Sequence, residues 1–146
     1  MKETEFDILL VEDNKDDLVL TLAALRDAIA GTQIATARDG QEALDFLFCS
    51  GQHAGRDERC QPKLILLDLN LPKMDGLEVL KQIKVDPRTQ QIPVVMLTSS
   101  SRKADLEASY KAGANSYLVK SVDFEQFTRD VRQLGAYWLD LNRSAV

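Results

Sequence analysis

Leu64-Ile65-Leu66-Leu67-Asp68-Leu69-Asn70-Leu71-Pro72-Lys73-Met74-Asp75-Gly76 is the stretch that decides the fold. Its apolar opening lacks the polar alternation of a half-exposed strand and reads as a strand covered on both faces, as in a parallel sheet. The run ends at Asp68 and passes into a turn marked by Pro72 and Gly76. Ile8-Leu9-Leu10-Val11 repeats the plan and ends on Glu12-Asp13. In an open parallel sheet, ligands bind beyond the carboxyl ends of the strands. With these two strands as neighbours, the carboxylates of Glu12, Asp13 and Asp68 converge there. Like charges so placed raise one another's pKa unless a cation neutralises them. A hard divalent ion such as Mg²⁺ suits a site of few carboxylates and several waters. An acidic metal pocket around a strand-end aspartate points to phosphoryl chemistry.

Outward from that stretch the pattern alternates. Strands are expected at 7–11, 33–37, 63–67, 92–98 and 116–119. Between them, 15–29, 41–49, 77–84 and 103–111 carry apolar residues at helical spacing. A last helix should run from Asp123, an N-cap type, to about residue 142. Strands alternating with helices imply a right-handed, doubly wound α/β fold. A chain of 146 residues supports one core. The polar connection 50–62 is long for a structureless loop and is either a binding loop or a surface insertion.

Composition excludes several classes. A formal charge of −5 argues against electrostatic nucleic-acid binding. No apolar run approaches the ~20 residues that span a bilayer, so no membrane association is expected. The first residues lack the apolar stretch of a signal peptide, and Cys49 and Cys60 make no disulfide framework. A cytoplasmic protein is expected. His53 with the two cysteines lacks the paired spacing of a transition-metal site.

Two more strand ends carry polar residues: Thr98 closes the fourth strand and Lys120 follows the fifth. A lone strand-end Asp is usually a cap or turn former, and a lone Lys is usually solvated. Glu12, Asp13, Asp68, Thr98 and Lys120 at corresponding strand ends form a constellation instead.

The segments ILLVEDN (8–14), LILLDLNLPKMDGLEVLKQIK (64–84), IPVVMLTSS (92–100) and GANSYLVK (113–120) resemble the receiver domain of two-component response regulators, over about residues 6–142. The resemblance implies a doubly wound five-stranded parallel sheet, a (βα)5 flavodoxin-like or CheY-like fold with strand order 2-1-3-4-5. It implies a single receiver domain over 1–146, with an extended C-terminal helix and no output domain. Asp68 is then the phosphoacceptor for a sensor histidine kinase. Asp13, Asp68 and the backbone carbonyl of Asn70 would hold Mg²⁺ or Mn²⁺, with Glu12 acting through water. Lys120 and Thr98 would bind phosphoryl oxygens, and Thr98 with Tyr117 would form the switch. Such a chain is a signalling protein that assists its own phosphorylation and dephosphorylation, not an enzyme. The family usually has proline after the lysine, in a cis peptide; here Ser121 follows Lys120. A cis bond costs ~0.5–1 kcal/mol before proline and ~3–4 kcal/mol elsewhere. Either the bond is a strained cis one, or it is trans and Lys120 enters the site differently.

With no output module expected, the signal should leave through protein contacts. Phe124, Phe127, Val131, Leu134, Trp138 and Leu141 form a heptad-like seam on the last helix. Its first half must also cover the sheet, whereas Tyr137, Trp138, Leu139 and Leu141 lie further out. A homodimer through this helix is expected, with Phe127, Val131, Leu134, Tyr137, Trp138 and Leu141 as its surface. The 50–62 loop, the segments 83–100 and 109–127, and Tyr137-Trp138 are similar to the small regulators that partner bacterial phytochrome kinases. The downstream partner stays unspecified.

Three other readings compete. A flavodoxin needs a hydroxyl-rich loop after the first strand, and the acidic run 12–17 would repel a flavin phosphate. A Mg²⁺-dependent phosphatase with an aspartyl-phosphate intermediate, of the haloacid dehalogenase type, uses a second Asp where this chain has Asn70. A degenerate receiver serving only as a docking module sits poorly with an intact site.

Overall fold

The computed structural model describes residues 6–146. Strands β1 (Ile8–Val11), β2 (Ile34–Ala37), β3 (Leu64–Leu67), β4 (Val94–Thr98) and β5 (Ser116–Val119) alternate with helices α1 (Lys15–Ala28), α2 (Gly40–Leu47), α3 (Gly76–Val85), α4 (Lys103–Lys111) and α5 (Phe124–Ala136). All strand pairs are parallel and the order is β2-β1-β3-β4-β5. Both match the expected fold, and element ends other than that of α5 fall within a few residues of those expected.

Strand side chains alternate between faces, so each apolar strand supplies two cores. Leu9, Val11, Ile65, Leu67, Val94 and Met96 meet Phe46 and Leu47 of α2 and Val79, Leu80 and Ile83 of α3. Ile8, Leu10, Leu64, Leu66, Val95 and Leu97 meet Ala24 and Leu25 of α1 and Phe127 and Val131 of α5. The unbroken apolar runs are thus explained by cover on both sides. Each such buried side chain contributes roughly 1.5–3 kcal/mol, as an upper estimate.

Four of the five α-helices, all but α4, start at a side-chain cap. Asn14, Asp39, Asp75 and Asp123 accept from the backbone N–H of Asp17, Glu42, Glu78 and Glu125, respectively, each satisfying a donor that the helix leaves orphaned. The 50–62 connection is tied down rather than structureless. It holds a 3₁₀ turn, Gly51–His53. Arg56 stacks 3.7 Å over the Phe46 ring and donates to the carbonyls of Phe46 and Cys60. Gln61 donates to the carbonyls of Leu47 and Glu58.

The last helix departs from expectation. Regular α-helix stops at Ala136, and Tyr137–Leu141 form a π-type turn closed by Asn142 N–H on the Tyr137 carbonyl at 2.7 Å. The wider turn rotates the residues beyond it and splits the seam. Phe127 and Val131 lie in the core under the sheet, so as a dimer surface they are corrected. Leu134, Trp138 and Leu139 are half-buried against that core, and only Phe124, Tyr137 and Leu141 are largely exposed.

Gly76 fixes how β3 passes into α3. Its N–H donates to the Leu69 carbonyl at 2.8 Å. A Cβ there would collide with the Asp68 carbonyl oxygen and lie 2.7 Å from Leu69 Cα. Neither backbone atom can swing away as a flexible side chain would. Gly76→Ala is therefore expected to lose at least about 3 kcal/mol of stability, the upper range for overpacking. A shift in the urea midpoint checks this; an unchanged midpoint refutes it.

Candidate functional site

Register builds the site. Val11 lies opposite Leu67, and Thr98 opposite Val119, so Glu12 beside Asp68, and Lys120 one residue beyond the Thr98–Val119 pair, emerge at one sheet edge. Backbone bonds continue the ladder there: Asp68 N–H to Val11 O at 3.2 Å, and Lys120 N–H to Thr98 O at 2.7 Å. The adjacency holds only because β1 sits between β2 and β3, with β4 beyond β3.

Lys120 is the hub. Its Nζ donates to Glu12 Oε1 at 2.7 Å, Asp17 Oδ2 at 2.9 Å and Asp68 Oδ2 at 3.1 Å. Its side chain is only 8% exposed. The other Glu12 oxygen accepts from Asn14 N–H at 3.1 Å, and Asp68 Oδ1 accepts from Asn70 N–H at 3.2 Å. No cis peptide occurs among the described residues, so the bond to Ser121 is trans. Lys120 reaches Asp68 from that trans backbone.

Burial pushes the Glu12 carboxyl up to about 7; the Lys120 hydrogen bond opposes this, and the nearby Asp68 charge adds to it. Burial acts to lower the Lys120 value, but its bonds to Glu12 and Asp17 win, and the ammonium is held above its ordinary range.

Carboxylate oxygens of Glu12, Asp13 and Asp68 lie within 4.8 Å of one another. Asp17 adds a fourth carboxylate to the cluster, and four carboxylates with one ammonium leave an excess of negative charge that a divalent cation would relieve. All the donors are hard oxygens, which fits Mg²⁺ or Mn²⁺ and not a soft metal. Asp13 and Asp68 would hold such an ion, with Glu12 behind them.

Thr98 is fully buried at the end of β4, and its Oγ1 accepts from Ser100 N–H at 3.3 Å. Tyr117 donates its hydroxyl to the Ser100 carbonyl at 3.0 Å. Threonine and tyrosine therefore touch the same loop residue from two strands. Asp17 was missed in the sequence, where it stood only within an acidic run. The available signal was its position three residues after the Asn14 cap, in the first turn of α1; its partner, 103 residues away, is brought there only by folding.

The model of the response regulator receiver domain matches residues 8–132. The chain is 45% identical over 142 residues to the probable methanogenesis regulatory protein FilR2 of Methanothrix harundinacea, covering 97% of this chain and 89% of that one. It is 41% identical over 133 residues to response regulator Rcp1 of Synechocystis, covering 91% and 88%. The crystal structure of the phosphorylated cyanobacterial phytochrome response regulator RcpA superposes with a TM-score of 0.91 at 40% identity, over 98% of this chain and all of that one. The Mn²⁺-bound form of Rcp1 gives 0.88 at 40% identity, over 95% and 98%. Fold, site geometry and these likenesses agree: the chain belongs to the response regulator receiver family and is related to the phytochrome response regulators.

Proposed function

We propose that this chain accepts a phosphoryl group on Asp68 from a sensor histidine kinase, in a reaction that requires Mg²⁺, and signals by changing shape. The buried Lys120 ammonium, 3.1 Å from Asp68 and beside the Glu12–Asp13 pair, carries this reading. A carboxylate oxygen of Asp68 attacks the phosphorus of a phosphohistidine. The P–N bond breaks, and the imidazole leaves with the electron pair and takes up a proton. Phosphoryl transfer asks a protein for positioning and for charge stabilisation on the equatorial oxygens. Bound Mg²⁺ would supply part of that charge; Lys120 and the Thr98 hydroxyl supply the rest from other directions.

The resulting Asp68 phosphate gives Thr98 a stronger partner than the Ser100 N–H. Thr98 turning toward it loosens Ser100, and with it the anchor of the Tyr117 hydroxyl. The face formed by α4, β5 and α5 then becomes the bistable element. The likeness to RcpA and Rcp1 supports a phytochrome-type kinase as donor.

Wild-type protein treated with a small acyl phosphate should gain one phosphoryl group by intact mass when Mg²⁺ is present and none when it is chelated. Labelling that ignores the metal would sink the assignment. For the output surface, Phe124, Tyr137 and Leu141 are the apolar side chains of the last helix left to a partner, and a homodimer through them is the reading they support. Light scattering should show a dimer in at least one phosphorylation state; a monomer in both would refute it.

A further inference from the structure

We propose that Asp17 is the exchangeable partner of Lys120: a positioning residue whose carboxylate the phosphoryl group displaces, and which thereby limits how tightly the site holds that group. The inference rests on Asp68 as phosphoacceptor and adds a residue to its machinery.

An ammonium has three N–H donors. In the resting protein all three are committed, to Glu12, Asp17 and Asp68. Lys120 can reach a phosphoryl oxygen only by releasing one of them. Glu12 is a poor candidate, because its side chain is 2% exposed and water cannot replace the ammonium beside a buried carboxylate; Asp68 carries the phosphoryl group itself and keeps a carbonyl oxygen as an acceptor for Lys120. Asp17 is 33% exposed. Together with Lys120 it lines an open cleft of about 360 Å³, between the start of α1 and the segment that joins β5 to α5. Water entering there can take over its oxygen.

Asp17 is not a surface side chain that merely drifts to a cation. Its own N–H is held by Asn14 Oδ1 at 2.9 Å, in the first turn of α1, so the helix cap fixes the backbone from which the carboxylate reaches Lys120. A carboxylate so held competes with the phosphoryl group for the same N–H and adds like charge beside it. Asp16, its neighbour in the same turn, is exposed and makes no bond to Lys120. It carries the same charge at the same helix end, and so separates direct contact from general electrostatics.

Beryllium fluoride with Mg²⁺, a mimic of the acyl phosphate, is titrated into wild type, Asp17→Ala and Asp16→Ala, with amide NMR shifts as the readout of affinity and of intact fold. Asp17→Ala should bind the mimic about tenfold more tightly, the net worth of one charged hydrogen bond, and Asp16→Ala within about twofold of wild type, as an exposed charge away from the contact should be. In wild type, the carboxyl carbon resonance of Asp17 should shift on saturation. Unchanged or weaker binding by Asp17→Ala, an equal gain in Asp16→Ala, or an unmoved Asp17 resonance each overturns the exchange while leaving Asp68 in its role. A wild type that fails to bind the mimic at all would instead remove the phosphoacceptor reading, and this inference with it.

Discussion

A small acyl phosphate and Mg²⁺ should add one phosphoryl group to the wild-type chain and none to Asp68→Asn, by intact mass. The substitution preserves shape and removes only the nucleophile. The new amide oxygen could still accept from Asn70 N–H or Lys120, and Lys120 keeps Glu12 and Asp17 as partners. An amide oxygen carries no negative charge to attack phosphorus, so the loss should be complete rather than partial. The fold should survive, because the four carboxylates of the cluster become three, and like-charge repulsion falls. Urea midpoints of the metal-free proteins check that part; Asp68→Asn should be at least as stable as wild type. Labelled mutant protein would show that another residue accepts the group.

Lys120→Met should slow labelling by about 10²–10³-fold, the usual loss when one preorganised donor to a developing charge is removed. Nothing else in the site supplies a cationic donor from that side: Thr98 offers a neutral hydroxyl, and the remaining groups are carboxylates. Methionine fills the channel along the side chain, so packing is largely kept. A rate within threefold of wild type would remove Lys120 from the transition state. Stability should respond too, in a pH-dependent way. A carboxyl whose value is raised on folding, as Glu12 is from 4.5 to about 7, favours the folded state while protonated. That contribution is intact below about 4.5 and is lost as pH rises through about 7. Without Lys120 to hold Glu12 down, the loss extends to higher pH. Lys120→Met should therefore be more destabilised, relative to wild type, at pH 8 than at pH 6, and equal penalties at both would refute this.

The legibility of the chain varied with the range of the interactions involved. Ile8–Val11 and Leu64–Leu67 were readable because a strand covered on both faces has no polar alternation, a property of consecutive residues. Asp123 was readable as an N-cap type because capping acts over two or three residues. The end of α5 was not. Whether it continues as α-helix or widens into a π-type turn at Tyr137 depends on which side chains the core accepts, and Trp138 and Leu139 take that place. The same packing drew Phe127 and Val131 out of the expected surface seam, since a stripe at helical spacing looks alike whether it faces a sheet or a second copy.

By itself, then, the sequence determined the alternation of strands and helices, the parallel sheet, and the five polar residues at the strand ends, because these follow from local pattern and from which chemistry a carboxylate, hydroxyl or amine can do. Only the tertiary structure decided that Lys120 enters from a trans backbone and divides its three donors among Glu12, Asp68 and Asp17. An ammonium at the end of a flexible side chain takes the partners that packing brings within about 3 Å, and residues 52 to 108 positions away meet it only once the sheet has set their register.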